Sequence, residues 1–199
     1  MSIIVEHEKR RKEILEKALD VFVDEGFADA TFQKIAIKCG ITRTTLYIYF
    51  KNKREIFNFS IKQLLQSVET NINEIRKLKN ISHTEKLVLI MTDILENLEK
   101  NRRLLSVIIS YLLHLTKGEQ DPNERVRRRT VKLRRIQAAM LIEGIKAGEF
   151  VKSMNIKAAN ELLFGFLEAA VFRLTVLRLN SVEELKSAVK LAVSQFVVP

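Results

Sequence analysis

Cysteine, proline and glycine are all scarce in this sequence: one, two and six among 199 residues. The lone Cys39 excludes a disulfide framework and any multi-cysteine zinc site, and reads as a small buried apolar residue. With so few turn formers, and one proline spent on the last position, Pro199, a sandwich, a barrel or a glycine-looped nucleotide fold is disfavoured. The three histidines, His7, His83 and His114, share no metal-binding helical spacing, so neither a metal nor a cofactor is expected. No apolar window approaches the ~18 residues of a membrane span; the stretch Leu162 to Leu167 is stopped by Glu168. The first dozen residues turn charged by Glu6 and hold no apolar region of signal-peptide length. No nucleophile–base–acid set and no phosphate loop is present, which argues against an enzyme. The expectation is a reduced, cytoplasmic, largely helical protein with no membrane partner.

What the chain does have is basic charge, 34 Lys and Arg against 24 Asp and Glu, a net +10 that suits a polyanionic partner. The charge is unevenly placed. Residues 6–29 mix eight acids with five bases, whereas Ala30 to Arg54 carries no acid and holds Lys34, Lys38, Arg43, Lys51, Lys53 and Arg54. A second basic run comprises Arg125, Arg127, Arg128, Arg129, Lys132, Arg134 and Arg135. At ~100° per residue, Arg125, Arg128, Arg129, Lys132 and Arg135 share one sector, either a solvated helix face or an interaction surface.

Helix punctuation is legible throughout. Ile14, Leu15, Ala18, Leu19, Phe22 and Val23 recur at helical spacing, with Gly26 as the stop. Short helices follow Thr31, ending at Gly40, and Thr42. Asn52 with Glu55 caps a long helix to about Leu78, which at ~1.5 Å per residue reaches far enough to join two domains. Ser82 with Glu85 opens the next, Asn101 the one after it, closed by Gly118. Asp121, Pro122 and Glu124 combine an N-cap, a first-turn proline and a first-turn acid for a helix running to Gly148. Asn155 starts a helix apolar almost all round, and Ser181 with Glu184 caps the last. The fold class is all-α, about nine helices: an N-terminal three-helix helix-turn-helix domain over residues 1–52 and a C-terminal helical bundle over 53–199.

The segment Thr31 to Lys53 reads TFQKIAIKCGITRTTLYIYFKNK. Two short helices joined by a turn must bury Ile35, Ala36, Ile41, Leu46 and Phe50 against the first helix, because neither stands alone at that length. Gly40 admits a left-handed turn residue. The second short helix opens with Thr42, Arg43, Thr44 and Thr45, hydroxyls and a guanidinium suited to phosphates and base edges. This is a helix-turn-helix whose second helix is the reader.

In order and spacing, Gly26-Phe27, Thr31, Ile35-Ala36, Cys39-Gly40-Ile41, Thr42, Leu46-Tyr47-Ile48-Tyr49-Phe50 and Lys53 resemble the DNA-binding signature of TetR-type (tetracycline-repressor-like) transcriptional regulators. The segment GEFVKSMNIKAANELLFGFLEAA from Gly148 resembles that family's entry into its penultimate helix. Thr44 departs from the usual Gly or Ala, and Cys39 from the common Ala. The resemblance implies that Thr42, Arg43, Thr44 and Thr45 meet the major groove. Tyr47, Tyr49, Thr31 and Lys53 hold phosphates, and Lys9 to Lys12 reach the backbone; for Tyr49 a core role stays open. It also implies an effector pocket in the C-terminal bundle, for which the sequence offers Phe57, Leu64, Ile94, Tyr111, His114, Met140 and Phe164. A plain core, with Tyr111 and His114 as a satisfied buried pair, is the alternative.

Apolar residues on the last two helices, Leu162, Phe166, Ala170, Val189, Ala192, Val193 and Phe196, exceed what one flank of a small bundle covers and suggest a homodimer interface. The function expected is a homodimeric repressor on palindromic double-stranded operator DNA, released by a small-molecule effector. The alternative is a ligand-independent architectural or cell-cycle DNA-binding protein of the same fold, controlled by a protein partner.

Overall fold

Side-chain caps begin several of the helices. The Thr31 hydroxyl accepts from the Lys34 N–H to start α2 (Phe32–Lys38), and Thr42 accepts from Thr45 to start α3 (Arg43–Tyr49). Asn52 Oδ1 accepts from the Glu55 N–H, 2.9 Å, at the head of α4 (Lys53–Lys77). Ser82 and Glu85 form the full capping box of α5 (His83–Lys100), and Asn155 caps α8 (Ile156–Thr175). The remaining helices are α1 (Ser2–Asp29), α6 (Arg102–Thr116), α7 (Pro122–Lys146) and α9 (Glu183–Ser194). The computed structural model describes residues 2–116 and 122–199. Gly118 and Asp121 lie outside the described residues, as does the Arg125 side chain.

Nine helices and no strand occur among the described residues; one isolated antiparallel bridge joins Phe150 to Val197. Gly26 breaks α1 at φ 78°, ψ 161°, and a last turn continues to Asp29. Gly40 takes φ +67° between α2 and α3, a conformation costly for any residue with a Cβ. The expected Ser181–Glu184 cap forms only in part: Ser181 Oγ accepts from the Glu183 N–H at 3.2 Å. Val182 is the N-cap of α9 with no side-chain cap bond, and Glu184 instead accepts from Arg173, 3.3 Å.

The chain divides into two compact units, Met1–Leu65 with Arg103–Gln120, and Gln66–Arg102 with Asp121–Pro199, so α4 contributes to both. In the first unit, Ile14, Ala18, Phe22, Ile35, Ala36, Leu46 and Phe50 are buried, the pattern that lets α1 support two helices too short to persist alone. Phe22, Phe27, Phe57 and Tyr111 form an aromatic cluster with centroids 4.8 to 5.9 Å apart, which ties α6 to α1 and α4. Arg103 adds a 2.7 Å ion pair to Asp20.

In the second unit α5 packs against α7, α8 and α9. A Cβ on Gly144 would stand 2.2 Å from the Phe150 ring, so only glycine lets that buried ring lie on α7. Lys186, 15% exposed, donates to Glu96 and Glu183 at 2.8 and 2.7 Å and clamps α9 to α5. Glu149 caps α5 from a distance. It accepts from the His83 and Thr84 N–H groups and from Thr84 Oγ1, and pairs with His83 Nδ1, all within 3.0 Å. Burial pushes its carboxyl up, but those bonds to the charged form outweigh burial and hold it at about 2.

Candidate nucleic-acid interface

On α3 the buried Leu46 turns inward, and Arg43, Thr44, Tyr47 and Ile48 face solvent. Their positions are braced. Arg43 Nη2 donates to Tyr47 Oη at 3.1 Å with its guanidinium 5.6 Å from the ring centroid, and Phe32 of α2 packs on the same ring at 4.8 Å. Thr42 Oγ1 accepts from the Thr45 N–H at 3.0 Å and lies 2.8 Å from Thr45 Oγ1, so the two hydroxyls brace the first turn with one proton between them. Thr31 Oγ1 accepts from Lys34 and keeps its own proton to give. The arrangement presents one guanidinium, two hydroxyl-bearing side chains and one apolar side chain on a held helix face, chemistry that reads base edges and thymine methyls.

Three expectations change. Lys53 was expected to hold phosphate, but its ammonium donates to the carbonyls of Phe27, Ala28 and Ala30 at 2.8, 2.7 and 2.7 Å. Every proton it has is used on the carbonyl end of α1, and burial lowers its pKa despite the nearby Asp29 carboxylate. Within the Lys9 to Lys12 cluster, Arg11 turns in, its guanidinium 4.3 and 5.0 Å from the Phe59 and Phe50 centroids, and Arg10 pairs with Glu13. Lys9 and Lys12 remain exposed. Tyr49 is half-buried and stacks on His7, centroids 4.7 Å apart, which anchors the start of α1 to the reader. The sequence reading passed over Ile48, 69% exposed. Its position about 200° round the helix from buried Leu46 was the available signal.

The C-terminal candidates separate by unit. In the first, Phe57 and Tyr111 meet in the aromatic cluster with centroids 5.2 Å apart, and Leu64 is buried. His114 is exposed, not half of a buried pair: burial on α6 falls on Leu104, Leu105 and Val107, ahead of the last turn. In the second, Ile94, Met140 and Phe164 are buried, and the Arg134 guanidinium sits 3.6 Å from the Phe164 centroid.

Residues 14–58 match the model of the bacterial regulatory proteins of the tetR family, and residues 57–189 match that of the C-terminal region of YsiA-like proteins. The chain belongs to the TetR family. It is a DNA-binding transcriptional regulator. Within the family it is 26% identical to the fatty acid metabolism regulator protein of Bacillus subtilis over 170 residues, 82% of this chain and 84% of that one. Over 51 residues, 26% of this chain and 24% of the other, it is 45% identical to the regulator SrpR of Pseudomonas putida. Its fold matches a TetR transcription regulator from Haloarcula marismortui with TM-score 0.78 at 18% identity, covering 96% of this chain and 100% of that one. It also matches FadR of Bacillus subtilis, solved in complex with stearoyl-CoA, with TM-score 0.68 at 24% identity and coverage of 93% and 98%.

As TetR-family regulators dimerise, the apolar surface of the last two helices matters, and here the expected set is corrected. Leu162 is exposed, and Phe166 and Ala192 are half-buried, but Ala170, Val189, Val193 and Phe196 are buried within the single chain. The α9 stripe Leu185, Val189 and Val193 is its buried side, and α9 packs on α5 and α8. The apolar residues left in solvent along these helices and the segment joining them are Leu162, Phe172, Val176, Leu177, Leu179 and Leu191.

Proposed function

We propose that this regulator is a homodimeric repressor of a palindromic operator, released by a long-chain acyl-CoA. In this reading residues 1–52 read DNA: Arg43 and Thr44 meet base edges, Ile48 meets a thymine methyl, and Tyr47 and Thr31 give hydroxyl protons to phosphates. Thr42 and Thr45 hold the reader's first turn, Tyr49 aligns α1 with it, and Lys53 locks α4 onto α1. Residues 53–199 carry the effector and dimer functions, with Leu162, Phe166, Phe172 and Leu191 facing the second copy. Ile94, Met140 and Phe164 of the second unit supply apolar surface for an acyl chain, and Phe57, Leu64 and Tyr111 serve as core of the first.

The observation that carries the effector class is the likeness to the Bacillus subtilis fatty acid metabolism regulator across 82% of the chain. It is supported by the fold shared with FadR, whose solved complex holds stearoyl-CoA. The reading in which a protein partner replaces the ligand is favoured by one feature, the burial of Ile94, Met140 and Phe164 at 5% exposure or less. A DNA duplex selected from a random pool, titrated in fluorescence anisotropy with and without palmitoyl-CoA, separates the two. Release by micromolar palmitoyl-CoA is expected; binding indifferent to it refutes the acyl-CoA reading.

A further inference from the structure

Two side-chain carbonyl oxygens in the second unit are buried without a donor, Gln137 Oε1 on α7 and Asn160 Oδ1 on α8. Neither is an artefact of amide orientation. Gln137, with no exposed surface, donates its Nε2 to Met91 Sδ at 3.1 Å, and a thioether can only accept, so the amide nitrogen must face the sulfur. Asn160 donates Nδ2 to the Arg134 carbonyl at 3.2 Å, and a carbonyl likewise has no proton to give. The unmet end of each amide is therefore its oxygen. Arg134 precedes Gln137 by one turn, so Asn160 of α8 is tied to the turn of α7 that carries the second unmet acceptor, while Gln137 itself reaches Met91 of α5; the two acceptors lie about α7, which packs on both α8 and α5. Among the described residues the other buried side-chain atom without a hydrogen bond, Arg11 Nε, belongs to a guanidinium stacked on two aromatic rings and has that compensation.

Buried acceptors without donors destabilise a fold and are rare in native proteins, so two of them about one helix call for a reason. We infer that Gln137 and Asn160 bind the effector by accepting hydrogen bonds from its amide N–H groups, which makes it an acyl thioester of a pantetheine and not a free fatty acid. This rests on the acyl-CoA reading above and refines it. A carboxylate brings acceptors to a place that already has two and brings no donor. The pantetheine arm of coenzyme A carries two amide N–H groups, joined to an acyl chain that suits the apolar core around Ile94, Met140 and Phe164. Because Gln137 is wholly buried against Met91, binding requires α7 to move against α5 and α8, which loosens the Arg134 ion pair to Glu161, 2.6 Å, and its stacking on Phe164. The ligand then selects a rearranged seam, the differential contact that any population shift needs.

The test compares the full-length protein with its Gln137→Met and Asn160→Leu variants, using palmitoyl-CoA and palmitate as probes. Each variant replaces an unmet acceptor by apolar surface. The ligand-free thermal midpoint is expected to stay level or rise, while the Kd for palmitoyl-CoA rises about tenfold or more, the loss of roughly one good hydrogen bond. Palmitate is expected to bind weakly to all three proteins. Unchanged palmitoyl-CoA affinity in both variants overturns the assignment. Palmitate binding as tight as palmitoyl-CoA does the same. A parent protein that binds neither probe refutes the acyl-CoA reading itself and this assignment with it.

Discussion

Lys53 in the first unit has three protons and three carbonyls to receive them, whereas Gln137 and Asn160 in the second unit hold carbonyl oxygens that nothing in the fold serves. The same contrast runs through each neighbourhood. Around the reader, polar groups are either committed to caps and braces, as at Thr42 and Tyr47, or open to solvent, as at Thr44. A surface that must meet a rigid polyanion gains from being fixed in advance. About α7 the fold leaves hydrogen-bonding capacity unused at a cost in stability, which suits a region that has to change when something binds. The difference is one of kind: in the first unit the buried atom without a hydrogen bond, Arg11 Nε, belongs to a guanidinium stacked on two rings, whereas the two in the second unit are acceptors with no such compensation.

The widest expected effect breaks the contrast between buried and exposed apolar residues on the last two helices. Val193→Asp puts an unpaired charge into the core and should unfold the second unit. Phe172→Glu, starting from 53% exposure, should leave a folded monomer with weakened operator binding. Sedimentation with circular dichroism separates the two; a Phe172→Glu protein that stays a tight dimer moves the interface elsewhere. Next comes the clamp. Lys53→Met removes three charge-assisted hydrogen bonds and should cost about 3 kcal/mol or more. The salt dependence of DNA binding should keep its slope. A slope flatter by about one unit, with stability unchanged, would return Lys53 to the phosphates.

How much of this was legible in the sequence follows from how local the cause is. Thr31, Thr42, Asn52, Ser82 and Asn155 act within three residues of themselves, so their helix starts could be read directly, and Gly40 announces its turn the same way. Which side of a helix faces the core is decided by distant packing. Val189 and Val193 read as surplus apolar surface and are core, and His114 read as buried and is exposed. Lys53 reached carbonyls more than twenty residues away, and Glu149 capped a helix 66 residues before it, neither with a local signal. Ser181 was half legible: its Oγ accepts from the Glu183 N–H at 3.2 Å, but Val182 takes the N-cap position and Glu184 accepts from Arg173.

Smaller effects sharpen the same comparison. Arg43→Ala should cost about 1–3 kcal/mol on the selected operator and little on random DNA, since a base contact is sequence-dependent and a phosphate contact is not. Equal losses on both would make Arg43 a backbone contact. Glu149→Gln should cost about 1–2 kcal/mol, roughly 2–8 °C in thermal midpoint. Because the folded carboxyl is held at about 2, below its unfolded value, its contribution is fully present above ~4.5 and is lost as pH falls toward 2. The variant should therefore show a shallower acid destabilisation between those limits, and parallel acid curves for the two proteins would contradict the capping role.

The central claim is that effector binding and operator binding are coupled, and calorimetric titration tests it most directly. Palmitoyl-CoA is titrated into the free protein and into the protein saturated with its selected operator duplex. Linkage requires the operator to weaken ligand binding by the same factor by which the ligand weakens operator binding, typically about 5–150-fold. The account expects that loss of affinity on DNA, matched in the reverse titration. Equal palmitoyl-CoA affinities with and without operator would contradict it.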